Sequence, residues 1–172
     1  MNNPKQEIVR TISKISGKYS EHEIFTDWVK MMALSIQNSC MMIHNKVWED
    51  REQTFIDINK KYTKEEQQYF PEMLAWLTES YEQEISDVLG EIFMSRELGS
   101  NRIGQFFTPF NVSMMTGKLL VQSHKDEVIT LNEPSCGSGG MIVAVARCLK
   151  DEKINYNYNI MKTNNEDKNK NL

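Results

Sequence analysis

The chain has 172 residues, 40% of them hydrophobic and 26% charged, with a formal net charge of −4. Those totals describe one globular domain, or a small domain with an attachment, and exclude a disordered or fibrous chain. No apolar run approaches the ~18–20 residues of a membrane span, and the start, "MNNPKQEIVR", has neither the apolar core nor the cleavage pattern of a secretory signal.

In chain order, residues 5–16 predict a short amphipathic helix with Ile8, Val9, Ile12 and Ile15 on one side and Gly17 placed to end it. Ser20 and Glu23 form the S-x-x-E signature of a capped helix start. Behind it, Phe25, Trp28, Met32, Ile36, Met41 and Ile43 recur near helical spacing. They predict one long helix over 21–45, with helical character continuing towards Asn59. Thr63 with Glu66 repeats the cap signature, and Pro71 is expected to interrupt the helix that follows and restart it as a first-turn residue. Leu74, Leu77, Tyr81, Ile85, Val88, Leu89, Ile92 and Phe93 extend an apolar stripe towards Arg96. The expectation is a helical bundle, with Met31, Met32, Met41, Met42, Trp28, Trp48 and Trp76 as packing residues.

"ELGSNRIGQFFTPFN" breaks the helical run with glycines and a proline, and Thr108–Pro109 is a hydroxyl cap followed by a first-turn proline. A helix over 109–123 is predicted, carrying Val112, Met115, Leu119 and Leu120. A strand at 127–132, a glycine turn and a helix over 139–150 follow. This order opens a doubly wound α/β sheet, whose ligands sit beyond the carboxyl ends of the strands. Ile154, Tyr156, Tyr158 and Ile160 alternate as a second strand would. From Lys162 onward the composition of Asn, Lys, Asp and Glu predicts disorder. The division expected is a mainly α N-terminal region over 1–97, a partial α/β domain over 98–161 and a polar tail over 162–172. A lone parallel strand covers its helices poorly, so leaving Val143, Val145 and Leu149 half exposed would cost stability, and 127–172 is expected to be the least stable part unless a partner or the helical region covers it.

Three ligand classes use a glycine turn after a strand. A phosphate-binding P-loop requires Gly-Lys and then Ser or Thr, whereas Met141 follows Gly140. The dinucleotide pattern would begin at Gly137 and Gly139 and needs a third glycine where Ile142 stands. What is left is a loop whose glycines let the backbone approach the amino-acid part of S-adenosylmethionine (SAM). A purely structural turn is the alternative.

"GQFFTPFNVSMM" followed by "NEPSCGSGGM" resembles the N6-adenine DNA methyltransferases of type I restriction–modification systems, specifically their modification subunits. In that family a Gln-Phe/Tyr-Phe/Tyr-Thr-Pro segment precedes a strand ending in Asp-Pro-Ala/Ser-Cys-Gly-Ser-Gly-Gly. The resemblance covers residues 100–150. It implies a Rossmann-like α/β SAM-dependent methyltransferase domain, here only its opening, behind a helical N-terminal region. It also implies that Gln105, Phe106, Phe107, Thr108 and Pro109 line a cofactor pocket, with an aromatic ring against the ligand. Pro134, Ser135, Cys136, Gly137, Ser138, Gly139 and Gly140 would surround the methionine part, and Glu133 would hold the acidic place before Pro134. The helix starts at Thr108–Pro109 and near Gly139 present N–H groups suited to a carboxylate. Phe106 and Phe107 as ordinary core, and Thr108 as a cap alone, are the plainer readings. Cys136 has no histidine or basic neighbour to activate it.

Departures from the family pattern limit the expected activity. Where an acidic residue would bind the ribose hydroxyls, only Asn159, Asn164 or Asn165 offer polar groups. The Asn-Pro-Pro-Phe/Tyr segment that holds the flipped adenine does not occur in the 172 residues. The expectation is therefore the SAM-binding portion of an adenine-N6 DNA methyltransferase, a truncated or degenerate member with no catalytic residue and no metal site. The alternative is a non-enzymatic helical module that binds a restriction–modification subunit or another protein. Residues 1–97 carry 11 basic and 17 acidic side chains, against 5 and 3 over 98–150. Phosphate contacts come mostly from Lys and Arg, so DNA is expected to be gripped through a complex, with specificity or restriction subunits as partners. Cys40, Cys136 and Cys148 are odd in number and spaced unlike a zinc site. They read as free buried thiols of a protein in a reducing cytoplasm, away from membranes.

Overall fold

The computed structural model describes residues 3–96, 107–122, 131–134 and 137–152. Among these residues there are seven helices and no strand: α1 (Pro4–Ile15), α2 (Glu21–Ser39), α3 (Lys46–Asn59), α4 (Lys64–Gln83), α5 (Val88–Ser95), α6 (Phe110–Gln122) and α7 (Gly140–Asp151). The chain divides into two compact units, with the break between Gln83 and Glu84. None of the described helices is long and apolar enough to cross a membrane.

The first unit is a bundle in which α1 packs on α4 and α2, and α2 packs on α3. Its core is formed by Ile8, Ile12 and Ile15 of α1, Ile24, Phe25, Trp28 and Met31 of α2, and Phe70, Met73 and Leu77 of α4. Both cap signatures act as the sequence predicts. The Ser20 hydroxyl accepts from the Glu23 N–H at 3.2 Å. At Thr63 the exchange is reciprocal, with Glu66 N–H donating to the hydroxyl at 3.2 Å and Thr63 N–H donating to the Glu66 carboxylate at 2.8 Å.

Two expectations fail here. The helix predicted over 21–45 ends at Ser39, and α3 starts afresh behind Asn45, whose side chain accepts from Trp48 N–H at 3.1 Å. The Asn38 amide closes the corner by donating to the Trp48 carbonyl at 3.2 Å. Asparagine supplies local hydrogen bonds that compete with the helical ladder, and Met42, expected in the core, is 99% exposed in this corner together with Ile43. At Pro71 the reverse holds: α4 continues through it. The lost N–H bond and ring crowding cost helix stability, and burial of Phe70, Met73 and Leu77 on a shared face offsets that.

A polar cluster ties α2 to the residues ahead of α4. The buried Asp27 carboxylate accepts from Tyr62 Oη at 2.9 Å and from Lys61 Nζ at 2.9 Å. Burial and then the Asp27 hydrogen bond push the Tyr62 phenol far above its ordinary value near 10. The Asp27 hydrogen bond also raises Lys61. An acid whose folded pKa exceeds its unfolded one keeps its proton in the fold after the unfolded chain has lost it. Its stabilisation is complete below the unfolded pKa and declines as pH rises beyond it. Urea midpoints should therefore fall above about pH 10. Tyr62→Phe, with no phenol to ionise, should lessen that fall; an undiminished fall would exclude Tyr62 as its source.

The second unit contains α5, α6 and α7. Val121, Val145, Cys148 and Leu149 form a buried cluster with Met114 and Leu131 packed on it. Val145 and Leu149 are thus not left half exposed, because α6 covers them. The inward face of α6 is not its most apolar one. Ser113, Gly117 and Val121 face inward, while Val112, Met115, Leu119 and Leu120 are exposed, Met115 at 60% and Leu119 at 64%. Small residues spaced by four let two helices approach closely. A Cβ at Gly117 would lie 3.2 Å from Cys148 Sγ and 3.4 Å from the Ala144 backbone. Of the strand predicted at 127–132 only Leu131 and Asn132 are described, and they have no regular structure. The second strand over 154–160 and the polar tail over 162–172 lie outside the described residues.

Candidate functional site

The segment "ISDVLGE" starts α5 by a local device. Asp87 stands at the N-cap, and its Oδ1 accepts from Gly90 N–H at 3.0 Å. Glycine is required at 90 because a Cβ there would overlap the same carboxylate. The other oxygen, Oδ2, lies 2.7 Å from the place a Cβ would take on Gly140, the first residue of α7. One carboxylate, 8% exposed, therefore sits against the starts of two helices, where the helix dipoles favour negative charge. Arg147 of α7 holds the approach to α5 from the other side. It donates to the Ile85 carbonyl at 3.3 Å and lies 2.6 Å from the Glu84 carboxylate.

The glycine turn is built on backbone that only glycine adopts easily. Gly137 has φ 49° and Gly139 φ 87°, both in the left-handed region. Gly139 takes the position before α7, which has no side-chain cap. A Cβ on Gly139 would have nothing within 4 Å, so open space adjoins the backbone there. Ser138 is exposed, Glu133 half-buried and Pro134 exposed.

A cavity of about 520 Å³ lies between α5 and the start of α6. Asp87, Gly90, Glu91, Met94 and Ser95 form one wall; Phe107, Thr108, Pro109, Phe110 and Asn111 form the other. The Phe107 ring is anchored beside Phe93, with centroids 5.1 Å apart. The Pro109 carbonyl accepts from the Val112 and Ser113 N–H groups, at 2.9 and 3.2 Å. Proline thus stands one residue ahead of the helix, not inside its first turn as the sequence suggested.

Of the residues singled out in the sequence, Phe107, Thr108 and Pro109 line this cavity, and Gly140 meets its wall through Asp87. Glu133, Pro134, Gly137, Ser138 and Gly139 are not among the described lining residues. Gln105, Phe106, Ser135 and Cys136 lie outside the described residues. Sequence reasoning missed the whole α5 wall. The signal for it was an Asp followed three residues later by Gly at a helix start, obscured by the apolar stripe running through it. The cysteines divide as well: Cys40 is exposed, against expectation, and Cys148 is buried. Burial pushes the Cys148 thiol up, which keeps it protonated and unreactive.

The N-6 DNA methylase family matches residues 85–171, just over half of the chain. The chain belongs to that family. No curated protein and no solved structure matches it. The matched region opens at Ile85, two residues before Asp87, so α5 lies within it as well as the glycine turn.

Proposed function

We propose that the second unit is the cofactor-binding part of an adenine-N6 DNA methyltransferase, the modification subunit of a type I restriction–modification system, with SAM as methyl donor. The fold proposed for it is the opening of a Rossmann-like α/β domain. The observation that carries this reading is the charge of the cavity. Its described lining holds two carboxylates, Asp87 and Glu91, and no Lys or Arg. A sulfonium amino acid, which carries two positive groups beside its carboxylate, is suited to that lining. The volume falls in the ~300–1,000 Å³ range of small-molecule sites. Phe107, Pro109, Phe110 and Met94 offer apolar surface for an adenosine, and open space at Gly139 leaves room near the turn.

When bound, SAM supplies an activated methyl group on its sulfonium. The chain's own part is to hold the ligand: Phe107–Pro109 on one side, the Asp87 wall on the other. An Asn-Pro-Pro-Phe/Tyr segment to orient the adenine amino group does not occur in the 172 residues. We therefore propose that this chain does not transfer the methyl group by itself, and that a complex with specificity or restriction subunits brings DNA to it. A cytoplasmic location follows from that role.

Titration calorimetry with SAM tests the reading. Micromolar binding is expected, lost in Gly137→Val, where a β-branched residue would have to adopt a left-handed backbone. No heat at millimolar SAM would sink it and favour the second reading, a helical module that binds a protein partner. The exposed apolar residues Val112, Met115 and Leu119 of α6 are what favour that alternative. A methyl-transfer assay on adenine-containing DNA is expected to be negative for the chain alone.

A further inference from the structure

The helical first unit has a cavity of its own, made of residues to which the methyl-donor reading gives no task. We propose that it binds an uncharged, planar aromatic molecule whose carbonyl oxygen accepts a hydrogen bond from the Trp28 indole. In this unit α4 packs on α1 and α3 packs on α2, and a cavity of about 360 Å³ lies between α4 and the α2–α3 pair. That volume is within the ~300–1,000 Å³ range of small-molecule sites. Ser35, Gln68, Pro71 and Leu74 are exposed members of the wall, so the cavity opens to solvent.

The lining selects the chemistry. Trp28, Phe55 and Phe70 contribute one ring from each of the three helices, and aromatic rings meet a planar partner favourably, offset-stacked or edge to face. Although 26% of the chain is charged, no Asp, Glu, Lys or Arg is among the described lining residues. A charged ligand would therefore lose water there without gaining a counter-ion. The acceptor is called for by Trp28 itself. This residue is 1% exposed, and its ring is set edge-on beside Phe25 with centroids 6.1 Å apart. Its Nε1–H has no hydrogen-bond partner among the described residues. An indole nitrogen only donates, and a buried one normally finds an acceptor. Met31 and Met32 line the cavity on the same helix, and their unbranched side chains can move aside to let an oxygen reach the N–H. The opposite edge offers acceptors instead. The Gln67 carboxamide spends its N–H groups on the Asn59 and Tyr62 carbonyls, at 2.9 and 3.0 Å, which leaves its oxygen to accept. Pro71 has no N–H to give the Gln67 carbonyl, the ladder bond of an unbroken helix. The ligand's own acceptor therefore belongs at Trp28.

The test is a fluorescence titration of the full chain with prodan, an uncharged dimethylaminonaphthalene that bears a propionyl carbonyl and emits further to the blue on leaving water. The control probe is the parent dimethylaminonaphthalene, which lacks the carbonyl. The wild type should bind prodan in the micromolar range, about fivefold more tightly than the parent, the scale of one hydrogen bond. In Trp28→Phe, which keeps a ring and removes the N–H, that preference should shrink to less than about twofold. Leu74→Glu, at an exposed position, puts a carboxylate into the charge-free wall and should weaken both probes about fivefold or more with the thermal midpoint unchanged. No blue-shifted emission up to the solubility limit overturns the proposal. So does a carbonyl preference that persists in Trp28→Phe, or binding that Leu74→Glu leaves intact, which decides the matter even if Trp28→Phe does not fold. Displacement of prodan by millimolar SAM would assign the probe to the cavity of the second unit and overturn the proposal as well, while leaving the cofactor reading in place.

Discussion

Gly140→Ala is expected to lower stability by about 2 kcal/mol, although the same exchange in an ordinary helix raises it by up to ~1 kcal/mol. The backbone at 140 is not left-handed, so the loss would come from space alone. The new Cβ would stand 2.7 Å from Asp87 Oδ2. The carboxylate cannot move aside freely, because its other oxygen caps α5 through Gly90, and losing a cap costs about 1 kcal/mol. Removing the carboxylate should reverse the sign: in an Asp87→Ala background, Gly140→Ala becomes neutral or stabilising. Thermal unfolding of the four proteins of this cycle measures the coupling. Stability that is unchanged or higher in the single Gly140→Ala protein would show that Asp87 does not press on the start of α7. The same variant should bind SAM less well, since displacing Asp87 disturbs the cavity wall.

Gly117→Leu should cost about 3 kcal/mol, at the upper end for an overpacked core, while Gly117→Ala stays within about 1 kcal/mol of the parent. Alanine's Cβ would lie 3.2 Å from Cys148 Sγ and 3.4 Å from Ala144 backbone atoms, a tight fit partly offset by better helix propensity. Leucine has to extend into the α7 backbone, which cannot yield as a side chain can. The two helices would then part, exposing Val121, Val145 and Leu149. Because α6 carries Phe110 and Asn111 of the cavity, ligand binding should fall with stability. Denaturant unfolding of the two variants decides the matter: if leucine is tolerated as well as alanine, the close approach at Gly117 is wrong.

Both substitutions lie where the sequence was misleading for a physical reason. The α6 sequence shows two candidate faces, a strongly apolar one through Val112, Met115 and Leu119, and a small one through Ser113 and Gly117. Hydrophobicity alone selects the first. The second wins against α7 because small side chains permit contact with the Ala144 backbone and the Cys148 thiol. That advantage exists only once a partner helix of matching shape is present. The corner at Cys40–Asn45 was missed because neither Gly nor Pro marks it. Its determinants, Asn38 and Asn45, act through hydrogen bonds to Trp48 that become visible once the chain has turned.

Interactions reaching three or four residues were legible directly. Ser20 and Thr63 start α2 and α4 as predicted, and Gly139 precedes α7 because it can adopt a left-handed backbone that other residues resist. The paired motifs around Thr108 and Gly139 also pointed to the methylase family without any coordinates. What only the tertiary structure decided is the meeting of Asp87 with Gly140, and through it the junction of cavity wall and glycine turn. No local rule connects them: the carboxylate's position depends on two missing Cβ atoms on different helices, and sterics between distant segments act only after the chain has brought them together.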